Sequence, residues 1–205
     1  LTMPDYGIAS IRDLKGRKVA EPRKGSVTDT LLRAFILKER AGLEPEVDVE
    51  LYEMKPADMP FALERGDVDA IITWEPYVSQ AKEMGAVVIF DVIKEWPSYP
   101  VNSMFVSKAF LEDHEDVVTK LIQIHVEATD FINENPSKAN AIIAEHLGLP
   151  VETIESARER VIFNYEVPVQ DAVKLISYAY ELGYIGSVPS PEALFWMESP
   201  AVAGG

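Results

Sequence analysis

The sequence predicts an α/β protein: a lobe built on a mostly parallel sheet, followed by a helical segment. Three observations carry that prediction. From Ile11 to Ser107 short apolar runs alternate with amphipathic stretches, the pattern of strands joined by helices that cover both faces of a sheet. No strand signal of any strength follows Ser107. Glycines stand where helices should stop, at Gly42, Gly66, Gly85, Gly148 and Gly183. The expected organisation is a lobe over 11–107, ending in a return strand, and a helical segment over 108–200.

Lys18-Val19-Ala20-Glu21 reads as the first strand, ending at Pro22. Ser26 to Ala41 reads as a helix, with Ser26 at the N-cap and Asp29 three residues on, as in a capping box. Leu31, Leu32, Phe35 and Ile36 give it an apolar face. Val47 to Met54 alternates like a half-buried strand. Asp58 to Arg65 and Pro76 to Met84 read as helices. Asp69 to Trp74, Ala86 to Val92 and Val101 to Val106 read as further strands. Beyond them, Asp116 to Asn133 is a long helix with Val117, Leu121, Ile124, Ala128 and Phe131 on one face. Ser137 to His146, Val151 to Val161 and Val169 to Leu182 complete the helices, and the tail from Pro200 should fray.

The 205 residues are 47% hydrophobic, enough for a real core. Acidic residues outnumber basic ones 34 to 19, for a net charge of −15. That balance argues against nucleic acid and against polybasic attachment to lipid. It leaves room for a small anion, because a helix N-terminus supplies local positive potential. There is no cysteine, which excludes disulfides, thiolate metal sites and cysteine nucleophiles. His114, His125 and His146 are too dispersed to share an ion, so no metal and no cofactor is expected. The opening, Leu1 to Tyr6, is neither a signal peptide nor a natural start.

Ligands of open α/β sheets bind beyond the carboxyl ends of the strands. That rule selects Glu21 to Ser26, Met54 to Asp58 and Trp74 to Tyr77. Gly25 and Ser26 form the most attractive anion site, since glycine lets a ligand approach and the helix start offers N–H donors. The alternative is that Ser26 is only a cap. Trp74 is an apolar wall with one donor, and Glu75 an acceptor for an ammonium or hydroxyl. They read equally as a packed rim tryptophan and a solvated glutamate. Asn102 offers both donor and acceptor, or is a turn residue after Pro100. Trp96 and Tyr99 are rim aromatics or cover for a strand edge. No nucleophile stands beside a base.

Asp13-Leu14-Lys15-Gly16-Arg17-Lys18-Val19-Ala20 with Gly25-Ser26 resembles the opening of the second lobe in nitrate/sulfonate/taurine solute-binding proteins of ABC transporters. Gly66-Asp67-Val68-Asp69-Ala70, running into Trp74-Glu75-Pro76-Tyr77, resembles that family's cleft strand. Tyr99-Pro100 before Val101-Asn102-Ser103-Met104-Phe105-Val106 is similar to its hinge return, and Phe131 to Pro136 to one of its helix ends. The resemblance spans roughly residues 11–185. It implies a type II periplasmic binding protein, with two α/β lobes, two hinge strands and one cleft between the lobes. It implies that Gly25 and Ser26 hold a small anion (sulfonate, taurine, nitrate or similar), that Trp74 and Glu75 line the cleft, and that Asn102 lies near the hinge. A transporter permease is the implied partner, and a periplasmic or extracellular location follows.

The same resemblance places half of lobe one before Tyr6, so that half, or a second copy, should pack on the helical segment. The face of the long helix should not be left bare. Two other functions fit less of the sequence. One is a ligand-sensing domain of a regulator or receptor. The other is an enzyme related to thiamine-pyrimidine synthesis, whose relatives use a cysteine-rich segment that this chain lacks.

Overall fold

In the computed structural model the described residues are 1–197 and Ser199; the tail expected to fray lies outside them. Along the chain the named strands and helices are β1 (Lys18–Glu21), α1 (Val27–Thr30), a π-helical run (Leu31–Ala41), β2 (Glu50–Glu53), α2 (Met59–Arg65), β3 (Ala70–Ile71), α3 (Tyr77–Glu83), α4 (Val92–Glu95), α5 (Lys108–Asp113), α6 (Glu115–Glu134), α7 (Pro136–Leu147), α8 (Val151–Arg158), α9 (Val169–Glu181) and α10 (Pro191–Leu194). Contacts divide the chain into two compact units, Leu1–Pro97 with Lys174–Val188, and Ser98–Val173 with Pro189–Gly205.

The first unit holds a parallel sheet in the order β2-β1-β3. Val19 and Ala20 of the central strand are buried, as a strand covered on both faces requires. Ala20 joins Met59, Ala62 and Leu63 of α2 with Val68, Ile71, Ala81 and Ala86 in one cluster. Ser26 caps α1, which runs on into the π-helical stretch and ends at Gly42, φ 70°. The expected apolar face, Leu31, Leu32, Phe35 and Ile36, is fully buried. Each such side chain stabilises the fold by about 1.5–3 kcal/mol. Phe35 meets Trp96 at 5.4 Å and Tyr178 of α9 at 6.5 Å between ring centroids. Lys174 lies 4.7 Å from the Trp96 ring centre. Trp96 is thus a core residue of this unit.

Two expected strands are absent among the described residues. In 86–92 only Val87 pairs, exchanging backbone hydrogen bonds with Thr2 at 2.8 and 3.0 Å, and α4 begins at Val92. Thr2 also bridges antiparallel to Ala70, so the chain start lies between β3 and Val87. The segment 101–106 is irregular and exposed, with Phe105 90% accessible. Apolar composition favours a strand only where a neighbour supplies a ladder. The strands expected over 47–54 and 69–74 shorten to β2 and β3.

In the second unit α6 packs on α5 and α7, and α7 on α8. Arg158 ties α8 to its neighbours by donating to the Ile132 carbonyl at 2.7 Å, with its guanidinium 5.4 Å from the Phe163 ring centre. Val118 and Thr129 are the buried positions of α6. On the apolar face of α6, Val117, Leu121, Ile124 and Phe131 are all exposed in this chain. The described residues of this unit contain no strand that could lie against it.

Candidate functional site

Because the three strands run parallel, their carboxyl ends share one edge of the sheet. The turn after β1 carries Gly25 at φ 79°, a left-handed conformation that favours glycine. Ser26 Oγ accepts the Asp29 N–H at 3.2 Å, so the serine is a working cap. Asp29 Oδ2 accepts the Gly25 N–H at 2.8 Å, so that donor is spent inside the turn. Among the described residues no protein group receives the N–H of Val27 or Thr28, the first two helical amides. The Ser26 hydroxyl keeps a proton to donate. Arg23 on this turn and Lys55 on the turn after β2 are exposed cations on this edge, beside the exposed carboxylates Glu53 and Asp58, while Lys24 is paired with Glu46.

A buried polar cluster underlies the turn. Arg33 donates to Glu21 Oε1 at 2.5 Å, to Glu46 Oε1 at 2.8 Å and to Asp29 Oδ1. Burial lowers the Arg33 pKa, but hydrogen bonds to Asp29, Glu46 and Glu21 outweigh it and hold the group above its ordinary value. Burial, and then the neighbouring Asp29, push Glu21 up to about 7. Burial also raises Asp29, but the Tyr184 hydroxyl and Glu21 beside it, with the bonds it accepts from the Gly25 N–H and from Arg33, prevail and keep it below its ordinary value. Asp29 and Arg33 stand one helical turn apart, a spacing that pairs opposite charges but gives no sequence signal of a buried cluster. Glu21 comes from another element and gave none.

At the end of neighbouring β3, Trp74 is 44% exposed and meets Tyr77 edge-on at 6.4 Å. Glu75 Oε2 accepts the Ser79 N–H at 3.0 Å and so caps α3. Thr73 and Ser79 bury hydroxyls that no described group bonds; sequence reasoning passed over both. After β2, Met54 and Asp58 line a groove of about 370 Å³ with Phe61, Ala62 and Arg65. Gly25, Ser26, Trp74 and Glu75 therefore share one edge of the first unit. Asn102 belongs to the second unit and lies exposed in an irregular segment. The described residues hold no group of three or more His, Asp or Glu placed to bind a metal.

The architecture is that of periplasmic solute-binding proteins. The crystal structure of the periplasmic aliphatic sulphonate binding protein SsuA from Escherichia coli superposes with a TM-score of 0.74 at 24% identity, covering 95% of this chain and 63% of that one. The desulfurization enzyme DSZB shares the fold at a TM-score of 0.69 and 15% identity, covering 98% of this chain and 73% of that one. The NMT1-like family profile matches residues 7–148, and the chain belongs to that family. Among relatives, a putative aliphatic sulfonates-binding protein of Escherichia coli (strain K12) is 30% identical over 151 residues, 73% of this chain and 45% of the relative. The taurine-binding periplasmic protein of the same strain is 27% identical over 130 residues, 63% of this chain and 39% of the relative. The chain spans about half the length of the curated relatives it matches. No helix among the described residues is long and apolar enough to cross a membrane.

Proposed function

We propose that the chain belongs to the extracytoplasmic solute-binding component of an ABC importer, and that it takes a small organic anion on the first turn of α1. The observation that carries this reading is the pair of open amides at Val27 and Thr28, above a glycine turn at the sheet's carboxyl edge. Amides at a helix start stabilise an anion by hydrogen bonding and by the helix dipole. The Ser26 hydroxyl adds a third donor, while Gly25 shapes the turn and leaves room for the ligand, with nothing within 4 Å of where a Cβ would stand. Trp74 supplies an apolar wall suited to a short alkyl chain, and Glu75 faces an ammonium where the ligand carries one. Asn102 stands on the family resemblance alone. The names of the sulfonate- and taurine-binding relatives favour a sulfonate. The partner is a transporter permease, and the reading assigns no catalysis.

Calorimetric titration of the natural full-length protein with ethanesulfonate, taurine and nitrate tests this. Saturable binding of ethanesulfonate or taurine is expected. Absence of binding by all three would remove the anion reading.

A further inference from the structure

Glu21, Asp29 and Arg33 side chains are 3%, 0% and 6% exposed. One guanidinium thus faces two deeply buried carboxyl groups. Glu46 also reaches it but is 57% exposed and is answered by Lys24 at 3.4 Å. The Tyr184 hydroxyl is buried beside Asp29 and completes the set of titratable groups facing the cluster. Glu21 Oε1 is bonded to Arg33, while Oε2 is buried and receives no hydrogen bond from a described group. A bare buried carboxylate oxygen is costly; the same oxygen bearing a proton becomes a donor, and Asp29 is an acceptor within the cluster.

We propose that Glu21 carries the proton that keeps the Glu21–Asp29–Arg33 cluster neutral, and that this proton fixes the binding turn. With Glu21 neutral, Asp29 and Arg33 balance, and Asp29 is free to hold the Gly25 N–H. With Glu21 ionised, two buried anions compete for one guanidinium and repel each other. Asp29 then loosens its hold on Gly25, the turn slackens, and negative charge gathers behind the anion site. The upward displacement of Glu21 to about 7 agrees with this arrangement. Asp29 is a positioning residue here, and Glu21 acts through it. The link to ligand affinity rests on the anion reading above; the behaviour of the turn does not.

The test is amide exchange at Gly25, followed by NMR from about pH 5.5 to about pH 8.5 with intrinsic rates divided out. Protection should fall roughly tenfold through about pH 7 in the wild type, and stay level in Glu21→Gln, which mimics the neutral carboxyl. A level wild-type profile, or the same fall in both proteins, overturns the proposal. Carboxyl 13C titration of wild-type Glu21 decides it without a variant: a midpoint near the ordinary glutamate value overturns it, and one near neutrality supports it. Ethanesulfonate should bind several-fold more tightly at about pH 6 than at about pH 8 in the wild type, and equally at both in Glu21→Gln. Equal wild-type affinities overturn the link to binding. If ethanesulfonate does not bind at either pH, the anion reading fails while Gly25 protection still decides the role of Glu21.

Discussion

Glu75 holds the first turn of α3: its Oε2 accepts the backbone N–H of Ser79 at 3.0 Å. The residue that sequence reading aimed at a ligand ammonium thus has a structural task as well. Glu75→Ala should cost about 0.5–2 kcal/mol of stability, the range for a lost cap. Glu75→Gln keeps an acceptor oxygen and should lose little. If the carboxylate also meets an ammonium, the Gln variant should lose its preference for taurine over ethanesulfonate. Urea denaturation and competitive titration separate the two effects. An unchanged preference in the Gln variant would leave only the cap.

Ser26 is both cap and proposed donor, and two substitutions part the roles. Ser26→Ala removes both, so stability should fall by about 1 kcal/mol and anion affinity by about 1.5–3 kcal/mol. Ser26→Asp retains a capping oxygen but brings a negative charge to the site. It should fold as stably as the wild type and lose sulfonate binding. An Asp variant that binds ethanesulfonate normally would move the anion site elsewhere.

Stability should peak on the acid side of neutrality. Glu21, raised from 4.5 to about 7, keeps a proton in the folded chain that the unfolded chain has released. Over that interval stability falls as pH rises, by at most about 1.4 kcal/mol per pH unit for one proton. Glu46, held below its ordinary value by its bond to Arg33, and Asp29, also held below, act in the opposite sense. Their contribution is present above the ordinary carboxylate range and is lost as pH falls through their folded values. Thermal unfolding followed by circular dichroism should show Tm rising as pH is lowered from about 8 towards about 5, then dropping in stronger acid. Glu21→Gln should flatten the upper limb only.

The apolar face of α6 stands exposed in this chain. Leu121 and Ile124 are 47% and 61% exposed on one side of the helix. The chain should bind a dye that reports apolar surface, and Leu121→Lys with Ile124→Glu should reduce that binding. Exposed substitutions of this kind usually change stability by less than about 0.5 kcal/mol. A loss of several kcal/mol on urea unfolding would mean that these side chains are packed.

Local rules made part of this fold legible. The Ser26 cap and the Gly42 stop depend on a few adjacent residues, and both are present. The 3.6-residue period picked out Leu31, Leu32, Phe35 and Ile36 correctly because a packed surface lies on that side. The same period on α6 marked a face that nothing described here covers: periodicity reports what a helix can bury, not what is available to bury it. The strands expected at Val88 and Phe105 failed for a similar reason, since strand formation needs a partner that composition does not name. The edge carrying Gly25, Ser26, Trp74 and Glu75 could be read from the strand-to-helix order alone. The Glu21–Asp29–Arg33 cluster could not, because it joins β1 to two turns of the following helix and acquires its character from burial.

The first unit is discontinuous in sequence, and this sets an order on its making. Glu39 waits for the Tyr178 hydroxyl, 139 residues later in the chain. Phe35 and Trp96 wait for the same residue to complete their aromatic contacts. At about 5–20 residues per second, translation takes on the order of 7–28 s to reach it. The parallel strands, whose partners all precede residue 72, can assemble meanwhile. A nascent chain thus displays two unsealed aromatic rings for many seconds, an interval in which chaperones or export factors that grip unfolded polypeptide can engage it before the unit closes.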